Sequence, residues 1–184
     1  MARSGVPESQ LPYVTTVQEL MDLLHACRGG DPARLLEHAL RTAALLRRSR
    51  PFDKELQIAG LVHGLDLLLR PGEDGRPAGL AAEAVRALLG ERVARLVRLH
   101  AHPGRAGSAA GSGGSADGDT AAALGQACGA AGAAFLDAGV PEDWRPVLEL
   151  VAAGAYRQDH ADHRGPADHR IAADHRIAAR RAHG

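Results

Sequence analysis

Lys54 to Arg70 reads KELQIAGLVHGLDLLLR, seventeen residues with apolar side chains nearly all the way round a helix. Such a segment has no solvent face, so it marks the innermost helix of a helical protein. Two residues sit oddly in it. His63 falls inside the apolar run, and Asp66 follows three residues later on the same helical face.

The flanking sequence supplies further helices. Asp53 caps the segment, and Pro51 stops the preceding one, ARLLEHALRTAALLRRSR, in which Leu35, Leu36, Ala39, Leu40, Ala43 and Leu46 recur at helical spacing. Asp31-Pro32 sets the cap and first turn of that helix. Thr16 and Glu19 form a capping box before VQELMDLLHAC, whose stripe is Val17, Leu20, Leu23 and Leu24. Beyond the turn PGEDGRP come AGLAAEAVRALLG and ERVARLVRLHAH, broken at Gly90 and stopped by Pro103. No stretch alternates as a strand does. The expected class is all-α.

Composition agrees. The chain has 184 residues, net charge zero and 3% aromatic residues, so nothing marks a nucleic-acid partner, and the core must come from Leu, Ala and Val. Cys27 and Cys128 lie far apart without CxxC spacing, which indicates neither a zinc knuckle nor a disulfide framework. No run reaches the roughly 20 apolar residues of a membrane span, and a soluble cytoplasmic protein is expected. One helical domain is expected over residues 13–154, with a Gly/Ser-rich linker at about 104–119. After it, TAAALGQACGAAGAAFLDAG is a helix weakened by four glycines, and Trp144 anchors a last helix to the core. Residues 155–184 read as a low-complexity tail repeating Asp-His-Arg from Asp162, Asp168 and Asp174. His160, His163, His169 and His175 there would bind metal only adventitiously.

Five histidines lie upstream. His25 and His102 have no convincing partner. His38, His63 and His100 each come from a different helix, and each is flanked by apolar residues that turn it inward. Burying three imidazoles is costly unless each finds a partner. Hydrogen bonds within the core would supply partners; so would one divalent ion held where bundle ligands converge.

The same segments resemble an HD-domain protein. LLEHALRTAALL, then AGLVHGLDLLLRPGEDG, then GERVARLVRLH are similar to the branch that holds the organophosphonate-cleaving mixed-valence diiron oxygenases and related HD phosphohydrolases. The likeness runs from about Tyr13 to His100 and resumes at EDWRPVLELVA. It implies an HD-type helical bundle, with His38, His63 and His100 as metal ligands. Several positions depart from the pattern. Gly64 stands where the resemblance implies the aspartate that bridges two metals, and Leu67 where it implies a histidine. Ala78 and Gly79 occupy the place of a further histidine. Gly129 and Ala130 lie near that of a terminal aspartate, and Gly104 near that of a phosphonate-contacting lysine.

Without an anionic bridge two cations repel each other, so a dinuclear iron site is not expected. The cofactor expected is one divalent metal, Fe or Zn, on His38, His63 and His100, with Asp66 either completing the set or ending the helix without a metal role. Two classes of function stay open. One is a metal-dependent hydrolase or oxygenase acting on a small phosphorylated or phosphonate molecule, with Arg28 and Asp31 at the substrate mouth. The other is a non-catalytic relative whose metal site has decayed and whose role is binding or regulation.

Overall fold

A computed structural model describes residues 13–26, 31–65, 79–101, 116–134 and 136–163. Among these residues six α-helices follow in order: α1 (Val17–Ala26), α2 (Asp31–Ser49), α3 (Lys54–Val62), α4 (Leu80–Ala101), α5 (Ala116–Ala131) and α6 (Arg145–His163). A 3-10 turn, Pro141–Trp144, leads into α6, and no strand occurs among the described residues. The all-α expectation holds.

Local chemistry starts these helices where the sequence predicts. The Glu19 amide donates to Thr16 Oγ1 at 3.1 Å, and Glu19 Oε2 accepts from the Thr16 amide at 3.0 Å, which completes the capping box of α1. At α3, Asp53 Oδ1 accepts from the Leu56 amide at 3.0 Å. That carboxylate also takes a two-pronged bond from Arg92 of α4, at 2.8 and 2.7 Å, while Arg92 reaches Glu55 at 2.6 Å. The start of α3 is thereby tied to the middle of α4.

Every residue from Leu56 to Val62 is buried, and α3 packs against α2, α4, α5 and α6. Its contact with α2 is close. A Cβ added at Gly60 would stand 2.6 Å from Leu46 Cδ1 and 3.4 Å from the Ala43 backbone. Trp144 is fully buried, with the Arg47 guanidinium 3.7 Å from its ring centroid, so it anchors the start of α6 as expected.

Three boundaries differ from the sequence reading, and one expected break is present. The helix expected over 54–70 ends at Val62 and gives way to a turn at His63–Gly64. The break expected at Gly90 holds: with φ 85° and ψ 168° its backbone is not helical, and α4 is two helical segments that meet at a kink there. Helix α5 begins at Ala116, inside the expected linker. Tertiary packing outweighs its glycines, because Ala121, Leu124, Ala127 and Ala131 face the core. Helix α6 runs on to His163, past residue 155, with Ala155 buried against the Gly90 kink. The remaining Asp-His-Arg repeats lie outside the described residues.

Two stability predictions follow from these contacts. The Gly90 backbone lies in a region open essentially to glycine alone, and an added Cβ would meet Ala155 Cβ at 3.0 Å. Gly90→Ala should therefore cost about 1–3 kcal/mol in urea unfolding. The second concerns acid. Hydrogen bonding to Arg92, opposed by burial, holds the Asp53 carboxyl below its ordinary value of 3.8. A depressed native value adds stability that is full above the unfolded value and is lost as pH falls through the native one. Asp53→Ala should cost roughly 1–3 kcal/mol at neutral pH, and its gap from the parent should narrow as pH drops below about 4.

Candidate metal centre

The turn at His63–Gly64 builds the site. In an uninterrupted α-helix the Gly60 carbonyl would accept the amide of residue 64. Here His63 Nδ1 lies 2.7 Å from the Gly60 oxygen, so the imidazole caps the last turn of α3. Gly64, a poor helix former without a side chain, completes the turn before Leu65. A carbonyl only accepts, so Nδ1 carries the proton. In the neutral ring Nε2 is then a bare lone pair.

That lone pair points at a cluster drawn from four helices. Cys128 Sγ of α5 lies 3.5 Å from His63 Nε2 and 3.2 Å from His38 Nε2 of α2. Ligand atoms of His38, His63 and Cys128 all fall within 4.8 Å of one another. The His38 and His63 ring centroids are 5.6 Å apart, and His100 of α4 stands edge-on to His63 at 5.1 Å. The three histidines therefore converge as the sequence implies. His100, however, lies beside the tight group and is not one of its three members.

The remaining sequence candidates are placed as follows. Asp66 and Arg28 lie outside the described residues, and Asp31 opens α2. His25 pairs with Glu142 at 3.1 Å, away from the cluster.

Cys128 is the member that sequence reasoning missed. Its signal was present: Ala121, Leu124, Cys128 and Ala131 follow a 3-4-3 spacing that puts the thiol on the buried stripe of α5. It also directly precedes Gly129, near which the resemblance puts a last ligand.

Burial sets the protonation. It pushes the His63 imidazole down to about 4, against the opposing Gly60 hydrogen bond and with smaller contributions from His100 and His38. It lowers His100 likewise and pushes the Cys128 thiol up. The proton thus stays on sulfur while His63 is a weak base, the reverse of what an activated cysteine nucleophile needs. What the arrangement offers is neutral electron-pair donors facing one point.

A surface cavity of about 570 Å³ at the opposite end of α3 is lined by Phe52, Lys54, Leu150 and Arg157, among others. Its Asp53 and Glu55 carboxylates are both paired with Arg92, at 2.7 and 2.6 Å. No protein-family model matches the chain, and neither the curated proteins nor the solved structures include a significant match. Among the described residues no helix is long and apolar enough to cross a membrane.

In chelator-treated protein His63 should remain neutral, with Nδ1 protonated, down to about pH 5. Long-range proton–nitrogen NMR of the ring reads both charge and tautomer. A neutral His63 adds stability above about pH 6.5 that is lost as pH falls towards about 4. A midpoint near 6.5 would contradict this account.

Proposed function

We propose that this chain is a metal-binding helical protein of the HD type, related to metal-dependent phosphohydrolases and phosphonate oxygenases, that holds one divalent ion between α2 and the end of α3. The observation that carries this reading is the tie from His63 Nδ1 to the Gly60 carbonyl, which leaves Nε2 facing His38. Metal-ligating histidines are oriented in this way, one ring nitrogen held by a backbone oxygen and the other free for the ion. The resemblance in LLEHALRTAALL and GERVARLVRLH points the same way.

When bound, such an ion supplies Lewis acidity and a more acidic water. His38 and His63 hold it, and His100 stands edge-on to His63 with ring centroids 5.1 Å apart. The substrate class is a small phosphate or phosphonate compound. A non-catalytic binding role is the second reading. It is favoured by Gly64, which stands where the resemblance implies a bridging aspartate. Among the described residues a Cβ added at Gly64 meets nothing within 4 Å, so Gly64→Asp has room for its first side-chain carbon.

The test is metal content. Protein stripped with chelator, reloaded with zinc, iron or manganese and desalted should retain about one ion per chain, and His38→Ala and His63→Ala should each lose it. Retention by neither parent nor variants, or equal retention by all three, would overturn the reading. Phosphomonoester and phosphodiester turnover by the reloaded parent favours the enzyme. Turnover only after Gly64→Asp favours the decayed relative.

A further inference from the structure

Resting on the one-ion reading above, we propose that Cys128 is the third ligand and that His38 Nε2, His63 Nε2 and Cys128 Sγ form a His₂Cys zinc site with a fourth position open. The geometry is the argument. Zinc binds imidazole nitrogen at roughly 2.0–2.1 Å and thiolate sulfur at about 2.3 Å in tetrahedral array. Two such bonds at the tetrahedral angle separate nitrogen from sulfur by roughly 3.5 Å. The two sulfur–nitrogen distances here are 3.2 and 3.5 Å. Both nitrogen–sulfur edges of a coordination tetrahedron are therefore in place, and the nitrogen–nitrogen edge lies within 4.8 Å.

Hydrogen bonding alone accounts for the cluster less well. A thiol has one proton and can give it to one acceptor. His63 Nε2 is bare, because its ring proton is on Nδ1, so that nitrogen can approach sulfur favourably only by accepting the thiol proton. His38 must then donate its own Nε2 proton to the same sulfur, a weak acceptor. One cation at the centre satisfies both nitrogens and the sulfur together.

The donor set also chooses the ion. A thiolate with two imidazoles is a borderline-soft combination that suits zinc, whereas an iron pair of the kind the resemblance implies favours carboxylates. On binding, the Cys128 S–H bond breaks, a zinc–sulfur bond forms and the proton passes to solvent. The site then carries one net positive charge, and its open position suits water or an anionic oxygen such as that of a phosphate.

The experiment uses full-length, chelator-treated protein titrated with cobalt(II) as a spectroscopic stand-in for zinc. The expected result is a thiolate-to-cobalt charge-transfer band in the near ultraviolet, together with tetrahedral-intensity visible bands that zinc abolishes. Cys128→Ser should remove the charge-transfer band. It should also weaken zinc binding by more than the roughly 10–100-fold that follows loss of an outer partner. Zinc should in addition protect Cys128 from alkylation, read by peptide mass so that Cys27 is scored separately; this readout needs no variant and no activity. Cobalt bound without the sulfur band, or Cys128 alkylated equally fast with zinc present, would overturn the inference and leave the one-ion reading standing. Failure of cobalt and zinc to bind at all would overturn both.

Discussion

A single hydrogen bond, from His63 Nδ1 to the Gly60 carbonyl, organises this molecule's candidate chemistry. It lies at the end of the innermost helix, chooses the tautomer of the ring and directs the other nitrogen at the gap between α2 and α5. Each consequence follows from one fact about carbonyl oxygens: they accept and never donate. Gly60 serves twice, since its missing side chain also lets α2 come close enough for His38 to reach the same point.

The rest of the bundle holds that arrangement still. Helix α3 is buried along its length and packs against four other helices, so its end cannot drift without disturbing the core. Its start is fastened by Asp53, at once a helix cap and the partner of Arg92. With few aromatic side chains, the core is packed from Leu, Ala and Val around one buried Trp. Small residues bring helix axes close together, which is how side chains from four helices come to share a few ångströms.

Much of the scaffold was legible in advance. Thr16 with Glu19, Asp53 and Pro51 mark helix ends by chemistry that acts within one turn, and these marks hold. The inward direction of His38, His63 and His100 could be read from their apolar neighbours, and the rings do converge. The end of the central helix at Val62 could not be read this way. There the His63 ring turns back onto the Gly60 carbonyl, a contact about which periodicity carries no information. Cys128 was passed over because pairing by sequence spacing was the criterion applied to cysteine, whereas its partners lie 90 and 65 positions away.

From its order of residues alone, this chain determined that it would be helical, where most of its helices begin and which histidines face inward. Those properties depend on interactions between residues a few positions apart. Only the tertiary structure decided which donors meet: that a sulfur from α5 joins two imidazoles while His100 stands beside them. Such distances depend on how rods cross, and the crossing is set by the sizes of side chains far apart in sequence, Gly60 against Leu46 and Gly90 against Ala155.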